Sequence, residues 1–187
     1  MSNVKLTIFT AACLALCVVL PLAFHAIPNA GTVYSPMHIP VYLCGLVCGW
    51  PYGLACGVMA PVLSWLLTGM PVVTDLPQMI VELAAYGAVS GLAMRHVRTG
   101  RLYADLYIAL IAAMLVGRVL AALVGALIFV RGNASLALFA STYFLSGLPG
   151  IVIHLALVPT LVVALESAHL VPARYMADEV DEYDPDE

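Results

Sequence analysis

Residues 105–130 read DLYIALIAAMLVGRVLAALVGALIFV, an apolar run broken only by Arg118 once Asp105 has opened it. A helix on the surface of a soluble domain shows a polar face every 3.6 residues. This run has none, and it is long enough to cross the roughly 30 Å hydrocarbon core of a bilayer as a helix. Strict polar/apolar alternation is also missing, so a barrel strand is excluded in favour of a helix that pairs its own backbone groups.

Five more apolar segments flank this one, drawn over residues 6–24, 37–50, 52–68, 78–94 and 139–165. The second is the shortest. The first is longer than a signal-peptide core and is read as a retained helix. The expected fold class is therefore all-α integral membrane protein with six transmembrane helices. Composition agrees. Of 187 residues, 63% are hydrophobic and 10% charged, where a soluble domain carries about a quarter charged. Mean hydropathy is +1.03.

The net charge of −4 comes from the end of the chain: seven of the eleven acidic residues lie in 178–187. Residues 1–172 are read as one transmembrane substrate-binding domain, and 173–187 as a solvated, disordered acidic cytoplasmic tail. Elsewhere basic residues dominate. Lys5, Arg95, Arg98, Arg101 and Arg174 fall on one side of a six-span topology, whereas Arg131 falls on the other and Arg118 within the membrane. The positive-inside rule then places both termini in the cytoplasm, N-in and C-in.

The five cysteines, Cys13, Cys17, Cys44, Cys48 and Cys56, form no C-x-x-C pair and read as small buried hydrophobes. No Walker loop, HExxH pattern or nucleic-acid motif is present. Metal and cofactor sites are not expected, and any ATP hydrolysis must come from another chain. Gly45, Gly49, Gly53 and Gly57 recur every four residues, and Gly87 and Gly91 repeat the spacing. Small residues at this spacing let helix backbones meet, here most simply within the chain.

Polar groups inside apolar spans are costly and mark cavities or partners. Glu82 lies one turn into the fourth span, with Gln78 and Tyr86 four residues to either side on the same face. Arg118 sits mid-span; it either pairs with Glu82 or lines a solute cavity. His38 opens the second span near the outer surface, after a long uncharged loop, HAIPNAGTVYSP (25–36). The sixth span carries Thr142, Tyr143 and Ser146 in its outer half and His154 in its inner half. Pro149 is expected to bend it.

Six short N-in, C-in spans in under 200 residues resemble the substrate-binding S component of energy-coupling factor (ECF) transporters. The likeness is carried by FHAIPNAGTVYSPMHIPVYLCGLVCG (24–49), PVLSWLLTGMP (61–71) and MIVELAAYGAVSGL (79–92). It implies a non-enzymatic, high-affinity binding and uptake subunit for a vitamin or similar micronutrient. It also implies residence in a bacterial or archaeal cytoplasmic membrane and partnership with a transmembrane T component and two ATPases. By position, the family's pocket maps here onto Asn29, Tyr34, Gln78, Glu82, Tyr86, Thr142, Tyr143 and Ser146, to which His38 and Arg118 are added as candidates. The small first-helix residues facing the T component would be Ala11 and Ala15. Two rival readings are a structural or self-associating membrane protein, based on the glycines, and a membrane metalloenzyme using His25 and His38 with Glu82 or Asp75.

Overall fold

The computed structural model describes residues 1–23, 34–129 and 147–174. Among these, every regular element is a helix: α1 (Asn3–Ala23), α2 (His38–Cys48), α3 (Trp50–Thr68), α4 (Leu76–His96), α5 (Leu102–Phe129) and α6 (Leu148–Ser167). Five of them are long and apolar enough to cross a membrane; α2 is shorter. At about 1.5 Å per residue its 11 residues cover about 16 Å, half of a hydrocarbon core.

The short helix is the core. Nine of the eleven α2 residues are buried, which is why its sequence is apolar all round rather than on one stripe. By contrast, α1 buries only Cys13 and Cys17; Val4, Ile8, Leu16, Val19 and Leu22 stand exposed on its other faces. Large exposed apolar side chains continue around α3, α5 and α6. A shell of this kind is stable in lipid, which is as apolar as the side chains themselves.

Glycine sets how the helices approach. Gly49 joins α2 to α3 at φ 89° and ψ 172°, a conformation closed to residues with a Cβ. The chain reverses there, so Gly45 and Gly53 face each other. A Cβ on Gly53 would stand 2.6 Å from the Cα of Gly45 and 2.7 Å from the carbonyl carbon of Gly87. The glycine spacing thus serves packing inside this chain, where α2, α3 and α4 meet backbone to backbone.

These contacts fix depth. Gly45 meets Gly87 and Ser90, while Gly91 meets Trp50, so α2 runs parallel to α4 and α3 antiparallel to both. Weak thiol hydrogen bonds tie α1 antiparallel to α2: Cys17 Sγ to the Met37 carbonyl at 3.5 Å and Cys48 Sγ to the Leu6 carbonyl at 3.9 Å. All five cysteines are free and buried. Helix directions alternate, and the two ends of the described chain share one end of the bundle, where Met1, Ser2 and Lys5 line a cavity with residues 169–173.

That end is closed by an ion pair. Asp105 is fully buried. Its Oδ1 accepts from Thr99 N (2.9 Å) and Thr99 Oγ1 (2.7 Å), and its Oδ2 meets Arg174 Nε at 3.0 Å. Arg174 also donates to the Val97 carbonyl. The segment after α6 is thereby fastened to the α4–α5 loop, beside the exposed Arg95, Arg98 and Arg101. The acidic stretch 178–187 lies outside the described residues.

One expectation about α6 is corrected. Pro149 falls in the first turn of the helix rather than inside it, where a missing N–H leaves no bond unmade. It does not bend the helix; the internal proline is Pro159.

The glycine contacts make a measurable prediction. Gly53→Ala forces a Cβ into backbone and should destabilise the detergent-purified protein by about 1–3 kcal/mol. Ala55→Val, on the exposed side of the same helix, should stay within about 0.5 kcal/mol. Equal apparent melting temperatures for the two variants would contradict the packing.

Candidate functional site

At one level of the bundle, where α2, α4, α5 and α6 converge, polar side chains gather inside the apolar shell. The level follows from the glycine register. With Gly45 against Ser90, residues one turn and two turns earlier on each helix must also meet. Tyr42 accordingly stacks on Tyr86, ring centroids 4.9 Å apart, and His38 lies against Tyr86 at 5.3 Å. His38 Nε2 stands 4.0 Å from Glu82 Oε1. Tyr86 donates its hydroxyl to the same Glu82 oxygen at 2.6 Å, an i, i+4 pair along α4.

His154 completes the cluster from α6. It lies six residues after Leu148, about 9 Å down the helix, and its ring stacks on His38 at 5.6 Å. The expectation that it occupies the inner half of its span is corrected. With α6 beginning at Leu148, His154 belongs to the same level as His38 and Glu82.

Both imidazoles are held by one atom. The carbonyl oxygen of Ser35 accepts from the backbone N–H of His38 (3.0 Å), from His38 Nδ1 (3.0 Å) and from His154 Nε2 (3.2 Å). Ser35 adopts φ 45°, a left-handed conformation that costs a non-glycine residue of order 1–3 kcal/mol and tends to persist where function needs it. The turn before α2 therefore orients the histidines of two helices.

Arg118 reaches the cluster from α5 and is 8% exposed. A Cβ on Gly147 would lie 2.8 Å from its Nη1 and 2.9 Å from its Nη2, so the guanidinium packs on the residue that starts α6. Gly117 makes equivalent room for the Tyr86 ring, whose Cδ1 would be 2.5 Å from an added Cβ. A cavity of about 160 Å³ between α5 and α6, lined by Ile111, Met114, Leu115, Arg118, Ile151 and Leu155, opens beside the guanidinium. Among the described residues, Arg174–Asp105 is an ion pair within 4 Å and His38 Nε2 approaches Glu82 Oε1 at 4.0 Å; a Glu82–Arg118 pair within 4 Å is not among these contacts.

Of the residues singled out in the sequence, His38, Glu82, Tyr86 and Arg118 come together. Tyr34 directly precedes the Ser35 turn and is half-buried. Gln78 lies half-buried in the first turn of α4, nearer the end of the bundle. Ala11 and Ala15 are both exposed on α1. Asn29, Thr142, Tyr143 and Ser146 lie outside the described residues, as does His25. Sequence reasoning missed Ser35 and Tyr42. Tyr42 repeats on α2 the one-turn spacing of Glu82 and Tyr86 on α4, a usable signal; the Ser35 contribution is a backbone carbonyl and leaves none.

Chemically, the arrangement offers a carboxylate, a guanidinium, two imidazoles and two phenols in surroundings largely closed to water. No group of three or more His, Cys, Asp or Glu side chains among the described residues is arranged to hold a metal ion. The arrangement suits hydrogen bonding to a small polar molecule flanked by aromatic faces.

In comparison with known proteins, residues 5–162 match the family described as "ECF transporter, substrate-specific component". No curated protein and no solved structure matches the chain.

Proposed function

The chain belongs to the substrate-specific components of ECF transporters, and from that premise we propose that it is the high-affinity binding and uptake subunit for a vitamin-like micronutrient, with the solute held at the polar level of α2, α4, α5 and α6. The observation that carries the reading is the buried His38–Glu82–Tyr86–His154 cluster with Arg118 beside it. Lipid-facing apolar side chains surround it, and one turn of strained backbone organises it. Such groups are expensive to bury without use. Tyr34 and Gln78 stand towards the mouth of this site, and Asn29, Thr142, Tyr143 and Ser146 are proposed to complete it.

ATP hydrolysis is assigned to two partner ATPases, coupled through a transmembrane T component in a bacterial or archaeal cytoplasmic membrane. The end of the bundle bearing Lys5, Arg95, Arg98, Arg101 and Arg174 is assigned to the cytoplasm by its positive charge, which makes the orientation N-in and C-in and turns the polar level outward. The exposed small-residue face of α1, Ala11 and Ala15, is assigned to the T component, because small side chains let a partner helix approach closely.

Sidedness is checked by cysteine accessibility after the native cysteines are replaced. With an impermeant thiol reagent on intact cells, Thr74→Cys should react and His96→Cys should not; the reverse pattern would invert the topology and move the site to the cytoplasmic side.

For the site itself, Glu82→Gln should weaken binding of the solute that co-purifies with the protein by about tenfold to a hundredfold. This follows from a charge-assisted hydrogen bond worth about 1.5–3 kcal/mol. Ligand-free melting should stay within about 1 kcal/mol. Unchanged affinity with lost stability would make Glu82 a structural residue only.

Coupling is tested by Ala11→Trp combined with Ala15→Trp, which should abolish uptake by the full transporter while leaving solute binding by the isolated subunit within about twofold. Uptake at the wild-type rate would show that the T component docks elsewhere.

A further inference from the structure

The Ser35 carbonyl decides which nitrogen of each histidine is available. A carbonyl oxygen only accepts, so the ring nitrogens that face it, His38 Nδ1 at 3.0 Å and His154 Nε2 at 3.2 Å, carry protons. In the neutral imidazole the other nitrogen is then bare. For His38 that bare nitrogen is Nε2, and it points at Glu82 Oε1 across 4.0 Å. With His38 neutral and Glu82 ionised, two acceptors face each other at a distance beyond any direct hydrogen bond. Tyr86 already spends its own hydroxyl proton on that Glu82 oxygen. Beside them the Tyr42 hydroxyl is buried with no hydrogen-bond partner among the described residues, and its side chain is fully buried. What this set of groups lacks is a donor between Nε2 and the carboxylate.

We infer that the site selects ligands whose buried end carries N–H donors, such as an amine, an amidine or a ring N–H, which bridge His38 Nε2 and the Glu82 carboxylate with the Tyr42 hydroxyl as a third contact. This rests on the cluster being the solute site. It goes further in disfavouring ligands that would place only an acceptor, such as a carboxylate or a carbonyl edge, in the gap between His38 Nε2 and the Glu82 carboxylate. A ligand acceptor at that point would face two lone pairs without a proton, an arrangement that buried sites reject strongly. The aromatic rings of Tyr42, Tyr86 and His154 around the gap favour a flat or benzylic carrier for the donor.

Three probes separate the alternatives by thermal shift of the full-length protein in detergent. Benzylamine brings a cationic N–H donor on a ring. Benzyltrimethylammonium keeps the ring and the charge without an N–H, and benzoate keeps the ring with acceptors only. Benzylamine should stabilise the protein at concentrations about tenfold lower than either of the others. Glu82→Gln should abolish that difference. His38→Phe, which keeps a ring against Tyr86 and His154, should do the same and serves if Glu82→Gln does not fold. Equal stabilisation by the two cations would show that charge rather than the N–H is read, and would overturn the inference. Stronger stabilisation by benzoate would overturn it too, while leaving the cluster as a binding site. No stabilisation by any probe would also overturn the donor rule; the solute-site reading is decided separately, by affinity for the co-purified solute.

Discussion

Where Gly45, Gly53 and Gly87 touch, three helix backbones meet without side chains between them, and the arrangement above that contact depends on it. In lipid there is no hydrophobic effect to press helices together, so close backbone approach and the dispersion it allows must do so. The contact sets not only proximity but register. Once Gly45 sits against Gly87 and Ser90, the side chains one and two turns before Gly45 on α2 and before Ser90 on α4 are level. Tyr42 then stacks on Tyr86 and His38 faces Glu82. A shift of one residue along α2 would rotate its side chains by about 100° and dismantle the pairing.

The polar level has its own organiser in the Ser35 carbonyl. A single backbone oxygen takes three N–H groups from two helices. It also couples the turn before α2 to α6, a helix that otherwise rests on α2 and α5 through limited contact. Arg118, set against Gly147 at the start of α6, gives a second tie at the same level. The far end of α6 is fastened by Arg174 to Asp105 and Val97. The helix is thus held by polar contacts near its two ends, with a small apolar cavity against α5 near the first of them.

Much of this was legible in the sequence, and the limits are physical. The long spans announce themselves because lipid tolerates no polar face, and Glu82 with Tyr86 is readable as an i, i+4 pair. The glycine spacing pointed to close packing within the chain, and that is where it lies. Missing from the pattern was which helix sits at the centre. α2 is the shortest of the six segments, and its brevity and all-round apolarity belong to a helix enclosed by others. The depth of His154 is not legible because the apolar run of the sixth span begins at Phe139, whereas the described helix starts at Leu148. Ser35 was invisible because the group that acts is a backbone carbonyl, presented by a conformation rather than by a residue type. Asp105 and Arg174, far apart in sequence and each unremarkable alone, meet only through the fold.

The central claim is that the buried polar level of α2, α4, α5 and α6 is where a transported solute binds. The most direct measurement is an experimental density map of the protein purified with its native solute in place. The account predicts ligand density between His38 Nε2 and the Glu82 carboxylate, within hydrogen-bond reach of both and bounded by the Tyr42 and Tyr86 rings. Ligand density elsewhere, with the His38–Glu82 gap closed by direct contact of the two side chains, would contradict it.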